Sequence, residues 1–224
     1  MNDNRTVEDR LRQEYFELLP DVRRVVDHLA AEVGYWVLSI SHKPDHYRRV
    51  VVTSRIKECE SALDSLLRRQ EGKEFDQEQP SLYTLTSLDD LAGVRVLAFP
   101  RNCLAEIQFE LRQRLPSWEM KEWSSRRQKW VPSPVGSDQP LAFKYTGRHP
   151  ASTKVQGELQ VASMLIGRFW EVEHSALYKP APRLKGIEGS QNMKERAFNV
   201  YEALSAFEDE FEAVIQTESY EKER

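Results

Sequence analysis

Three groups of residues in this chain have types and spacing that could do chemistry. The first is Glu158, which sits between Gln156 and Gln160 in the alternating segment Val155–Val161. In an extended chain these three polar residues share one face, and Val155, Gly157, Leu159 and Val161 share the other. The polar face is either a solvated outer surface or the floor of an active site. The second group is Asp89 and Asp90, just ahead of the run Val94–Phe99. Acids there are either turn residues or metal-binding carboxylates at a strand end. Mg²⁺ prefers one or two carboxylates plus substrate phosphate oxygens, and Asp90 and Glu158 on adjacent strands would supply that pair. The third group is Arg55 and Lys57, at the start of a predicted helix. The helix dipole disfavours cations in the first turn by a few tenths of a kcal/mol. They are either ordinary surface bases or a pair whose cost an anionic ligand would reverse.

The elements that must position these groups follow from periodicity. Residues 6–33 predict two helices broken near Pro20, the second with the stripe Val22, Val25, Val26, Leu29 and Val33. Residues 34–52 are ambiguous. A helix is predicted from Arg55 to about Arg69, capped by Thr53 or Ser54 and buried through Ile56, Cys59, Leu63 and Leu66/Leu67. Val94–Phe99 reads as a strand, rich in β-branched and aromatic residues. Leu104, Ile107, Leu111 and Leu115 mark a helix ending at Pro116. Residues 118–123 and 141–145 predict strands joined by the loop Val131–Pro140. A helix follows Val161, from Ser163 to about Tyr178. The last helix, roughly Gln191 to Gln216, carries Met193, Val200, Phe207 and Val214 seven apart, with Ala197, Leu204 and Phe211 as a second seam. Such a heptad seam either docks on its own domain or joins subunits. The order predicts an α+β fold: a mixed β-sheet flanked by helices, with helical N- and C-terminal extensions. Residues 1–187 form the main domain in this reading, and 188–224 a docking or oligomerisation helix.

Composition narrows the class. The chain has 224 residues, 40% of them hydrophobic and 30% charged, which is ordinary globular composition. No apolar run approaches the roughly 20 residues of a membrane span. The polar start, Met1 to Arg12, predicts no signal peptide. The two cysteines, Cys59 and Cys103, fall in apolar helical stripes and predict small core residues of a cytoplasmic protein. A net charge of −4 argues against a general nucleic-acid binder. The charge is uneven, with a basic block from Lys121 to Lys154 and an acidic one from Glu188 to Arg224. A basic block beside candidate site residues suits a polyphosphate ligand.

Five segments, in order, carry a family resemblance. Arg55-Ile-Lys57-Glu-Cys-Glu-Ser61 resembles the R-x-K-x-x-x-S motif of the RelA/SpoT synthetases. Asp90-Leu-Ala-Gly93-Val-Arg95 resembles their D-(L/I)-x-G-(I/V)-R strand. Tyr145-Thr-Gly147-Arg-His149 resembles their Y-x-S-x-H loop, and Glu158-Leu-Gln160-Val their E-(I/V)-Q-(V/I) strand. Trp170-Glu-Val-Glu173-His174, with Tyr178-Lys179, resembles the helix that follows. Together they span about residues 50–180 of a chain that looks like a stand-alone alarmone synthetase.

The resemblance implies a nucleotidyltransferase-like synthetase fold that transfers pyrophosphate from ATP to the 3′-hydroxyl of GDP or GTP, making (p)ppGpp for a stringent response. It implies Arg55 and Arg95 around the donor adenine, Lys57 and Ser61 on the donor side, and Mg²⁺ on Asp90 and Glu158, with Glu158 also the base. It implies Tyr145 stacked on the acceptor guanine, Lys144 and His149 on phosphate, and Gln160 orienting the acceptor. Trp170, Glu173, His174 and Tyr178 are expected to pack. Departures fall mainly on the acceptor side: Ala162-Ser163 where the family has Arg-Thr, Gly147 for its Ser, and Leu141-Ala-Phe-Lys144 before Tyr145. Without a His-Asp pair the chain is expected to synthesise and not hydrolyse, and it has no Walker-A loop. The alternatives are a toxin-like relative acting on tRNA or an adenine nucleotide, tRNA being the weaker partner, and a non-catalytic nucleotide-binding module. No membrane partner is expected; a homo-oligomer through the last helix is.

Overall fold

The computed structural model describes residues 6–41, 48–69, 74–114, 118–122, 142–173 and 191–222. Among the described residues there are five α-helices and five strands: α1 (Val7–Ser41), β1 (Arg49–Ile56), α2 (Cys59–Arg69), β2 (Ala92–Phe99), α3 (Cys103–Arg114), β3 (Met120–Glu122), β4 (Ala142–Arg148), β5 (Gln156–Ser163), α4 (Met164–Glu173) and α5 (Gln191–Lys222). The strands form one sheet in the order β1-β2-β5-β4-β3. β2 and β5 run parallel, and the other pairs are antiparallel. This is the mixed, helix-flanked α+β sheet expected. The predicted loop Val131–Pro140, the bases Arg126, Arg127 and Lys129, the residues His174 and Tyr178, and the boundary at 187/188 lie outside the described residues.

The register separates the two faces. Val94, Val96 and Ala98 of β2, Leu159 and Val161 of β5, and Phe143 and Tyr145 of β4 pack against α1 and α3 through Leu29, Val33, Trp36, Leu104, Ile107 and Leu111. Thr53, Arg55, Gly93, Arg95, Glu158, Gln160, Lys144 and Thr146 share the opposite face, as their pairings require. At its Leu97/Ala162 end this second face is covered by α4. Gly167 lets α4 approach there, since a Cβ would stand 2.5 Å from Leu97 Cδ2. At the polar end Arg55 is exposed, while Glu158 and Gln160 are buried beneath it.

Two expectations are corrected, and two open alternatives are narrowed. The two N-terminal helices are one, α1, with Pro20 inside it. Pro20 is exposed, while the stripe Leu11, Tyr15, Leu18, Val22, Val25, Leu29 and Val33 runs past it in phase and is buried. A missing hydrogen bond on the solvent side is tolerated when the packed face is continuous. Second, Arg55 is in a strand. The β-branched run before it pairs with β2 over eight residues, and α2 starts only at Cys59. Third, both faces of β5 are buried, with Glu158 only 2% exposed, so its polar side is no solvated surface.

The last point concerns α5, whose heptad seam was open between docking on its own domain and joining subunits. Ala197, Tyr201, Ser205 and Glu208 are buried against the domain, Tyr201 packs on Phe169, and Phe211 packs on Phe99. Met193, Val200, Phe207 and Val214 remain exposed. One seam therefore docks on its own domain and the other does not. Of the cysteines, Cys103 is buried and Cys59 half-buried, both as free thiols.

Candidate active site

The candidate site is built where β1, β2, β5 and β4 present alternate residues on the polar half of one face. Arg55 lies flat over Gly93, where a Cβ would come within 3.0 Å of Arg55 Cγ. Glycine here lets the Arg55 side chain lie close against the strand. Just beyond β1, the Lys57 amide donates to the Leu91 carbonyl at 2.9 Å. That bond joins the loops after β1 and before β2, and it sets Lys57 against Asp90 in a close ion pair.

Charges alternate across the site. Lys144 pairs with Glu158, and Arg55 Nη2 stands 3.7 Å from the same carboxylate. Gln160 donates its amide to Glu158 and accepts from Arg95 Nε at 2.9 Å. Burial alone raises the Asp90 pKa, but Lys57, with Arg69 and Lys144 farther out, more than offsets this and holds it below the usual carboxylate value. Lys144 thus acts on both Asp90 and Glu158. Asp90 Oδ1 is buried and has no hydrogen-bond partner. An ionised carboxylate with an unspent buried oxygen fits a hard cation. Among the described residues no group of three or more His, Cys, Asp or Glu could hold a metal. A Mg²⁺ held by Asp90 and Glu158 would therefore need phosphate oxygens to complete its shell.

Ser61, four residues after Lys57, is half-buried on α2. Ser65, Arg68 and Arg69 follow at helical spacing and, with Asp90, line an open cleft of about 220 Å³. Arg69 pairs with Asp89, and Arg68 Nη2 donates to Ser65 Oγ at 3.1 Å. Sequence reasoning missed these two arginines. The signal was available, since both lie about two helical turns beyond Ser61 on the same stripe.

The acceptor assignment needs correction. Tyr145 lies on the other face, fully buried among Leu29, Val96 and Leu159, so it cannot stack on a base above Glu158. His149 has the same parity and is 2% exposed. Its Nε2 is 3.6 Å from Glu32, and it neighbours Trp118 and His28. Burial lowers its pKa, against the opposing pull of Glu32. Neither Tyr145 nor His149 is on the Glu158 face; the Glu32 and Trp118 that neighbour His149 line a separate hollow of about 490 Å³ with Tyr35, Trp36 and Arg114. Lys144 and Gln160 do reach that face. Also unforeseen was Glu171, which pairs with Arg95 from α4.

No protein-family model and no curated protein sequence matches the chain. Solved structures do. The small alarmone synthetase 1 of Bacillus subtilis superposes with a TM-score of 0.65 at 18% identity, covering 93% of this chain and 99% of that one. The same protein bound to AMPCPP gives 0.63 at 18%, covering 92% and 98%. Its structure bound to its product pppGpp gives 0.61 at 16%, covering 92% and 99%. A GTP pyrophosphokinase family protein from Streptococcus pneumoniae gives 0.62 at 18%, covering 90% and 92%. At these identities the likeness shows the fold: the chain has the architecture of small alarmone synthetases.

Proposed function

We propose that this chain transfers a pyrophosphoryl group from ATP to the 3′-hydroxyl of a guanine nucleotide, GDP or GTP. The observation that carries the reading is the convergence of Arg55, Lys57, Arg95 and Lys144 around Asp90 and Glu158 on one sheet face. The similar B. subtilis enzyme is bound to AMPCPP, an ATP analogue, in one structure and to pppGpp in another, which supports ATP as donor and a guanine nucleotide as acceptor.

The residues divide the work as phosphoryl-transfer chemistry requires, by positioning and by charge stabilisation. Arg55 and Arg95 offer guanidinium planes to the donor base. Lys57, with Ser61 and Arg69 beside it, holds donor phosphates. Glu158 accepts the proton of the acceptor 3′-hydroxyl. That oxygen attacks the β-phosphorus of ATP, the bond to the α-phosphate oxygen breaks, and AMP leaves. Lys144 stabilises charge developing on the transferred group, and Gln160 keeps Glu158 aimed at the acceptor. Mg²⁺ on Asp90 and Glu158 would supply charge neutralisation at the phosphate oxygens. The guanine is recognised by groups other than Tyr145 and His149. On α5 the exposed Met193, Val200, Phe207 and Val214 support a second copy as partner.

The test is incubation of the purified chain with labelled ATP, Mg²⁺ and a panel of acceptors: GDP, GTP, GMP, ATP and deacylated tRNA. Chromatography should show label on GDP or GTP and AMP released in equal amount. Label mainly in tRNA would overturn the acceptor; no transfer to any acceptor would overturn the activity.

A further inference from the structure

Arg95 is held more tightly than a lone arginine on a sheet face needs to be. Its Nε donates to Gln160 Oε1 at 2.9 Å, and its Nη1 donates to Glu171 Oε1 at 2.6 Å. The guanidinium carbon lies over the Trp170 ring, 5.1 Å from the centroid. Two of these three restraints come from consecutive residues of one helix. Only 14% of the Arg95 side chain is exposed.

The helix that supplies them is itself anchored. Its Gly167 abuts Leu97 and Ala162, Phe169 meets Tyr201 of α5 at 4.8 Å, and Ile166 is buried in the same cluster as Tyr201, with Trp170 and Leu204 packed against it. The Glu171 carboxylate is held in turn by Arg168 Nη1, 2.9 Å from Oε2. A planar cation fixed between a carboxylate, an amide and an indole has its plane decided before any ligand arrives. An arginine fixed in advance loses less side-chain entropy when a planar ligand binds against it.

The geometry points to Trp170 and Glu171 as positioning residues that set the plane of Arg95 for the purine base of a nucleoside triphosphate. The inference rests on the proposed donor role of Arg95. It assigns Trp170 more than packing, and it gives Glu171 a role that the motif resemblance does not contain. The same restraint reaches the chemistry by one further bond. Arg95 occupies the Gln160 oxygen, so the Gln160 amide nitrogen must face Glu158. The Arg95–Gln160 bond involves neither Glu171 nor Trp170, so it remains when either is replaced.

The test combines steady-state kinetics with AMPCPP binding by calorimetry on the full chain, each variant first checked by its melting curve. Glu171→Ala and Trp170→Ala should each raise the KM for ATP and the Kd for AMPCPP about tenfold, with kcat within about threefold of the parent. Glu171→Gln keeps the acceptor oxygen and Trp170→Phe keeps a ring, so both should recover most of the loss. They also serve as readouts where an alanine variant fails to fold. Unchanged KM and Kd in all folded variants would overturn the inference. So would tighter binding in Glu171→Gln, which would make Glu171 a competitor for Arg95. If the parent chain binds AMPCPP but transfers nothing, the reaction reading fails, and the calorimetric comparison still decides the positioning claim.

Discussion

Replacing Glu208 by Gln should change how the stability of this protein depends on pH. Glu208 sits on the docked side of α5, fully buried. Ser163 Oγ donates to its Oε1 at 2.5 Å, while Oε2 is buried without a partner. Burial raises its pKa from 4.5 to about 7; Ser163 and Arg101 pull it down, and Glu212 adds to the rise. A carboxyl raised in the folded state stabilises the fold in full below its unfolded value, and that contribution is lost as pH rises through the folded one. The gap between 4.5 and about 7 amounts to about 3 kcal/mol. Most of it, about 2.5 kcal/mol, is lost between pH 5 and pH 8. Gln keeps the shape and stays neutral, so it lacks this dependence. The stability difference between parent and Glu208→Gln should therefore move by about 2–3 kcal/mol in favour of the variant from pH 5 to pH 8. For a chain of this size that is a change of about 5–10 °C in the difference of their melting temperatures. Thermal unfolding followed by circular dichroism at both pH values reads it directly. An equal difference at pH 5 and pH 8 would refute the claim that a neutral carboxyl is what docks α5.

Three other outcomes are expected. Asp90→Ala and Glu158→Ala should each lower pyrophosphate transfer by at least ~10²-fold, as loss of a main electrostatic stabiliser does; an Asp90→Ala chain with parental turnover would remove it from the site. Tyr145→Ala should destabilise the fold by about 3–5 kcal/mol, the cost of emptying a buried aromatic position, measured by denaturant unfolding. A stable variant impaired only in acceptor use would restore the role that the motif implied. Val200→Glu with Phe207→Glu, on the exposed seam of α5, should convert an oligomeric parent to a smaller species in light scattering, and a parent already monomeric would refute the oligomer.

What the sequence showed and what it hid follow from one distinction. Strand parity is local and robust. The alternation around Glu158 put Gln156, Glu158 and Gln160 on one face, and the sheet keeps it so. Whether that face met solvent depended on neighbouring strands, which no local pattern encodes, so both readings stayed open until the register was known. Helix starts depend on competition. The residues before Arg55 satisfied a helix cap, but Val50, Val51, Val52 and Thr53 found a ladder on β2, and pairing overrode the cap. Tyr145 is the instructive failure. The motif match put Tyr145 and His149 four apart and gave both a ligand role. Parity along β4 pointed elsewhere: Phe143 and Tyr145 share one side, Lys144, Thr146 and Arg148 the other. An aromatic in phase with phenylalanine belongs to the core, and a lysine in phase with threonine and arginine belongs to the open face. Applied to β4, that rule assigns Lys144 to Glu158 and withdraws Tyr145 from the acceptor without any appeal to a family. Glu171 was beyond such reasoning, because its partner Arg95 lies 76 residues earlier in the chain and only the packing of α4 on the sheet brings them together. Arg55, Lys57, Asp90 and Arg95 could be grouped from the sequence because they cluster at the adjoining ends of two paired strands. Tyr145 could not be grouped with them, because the motif match ignored the face on which strand geometry places a side chain.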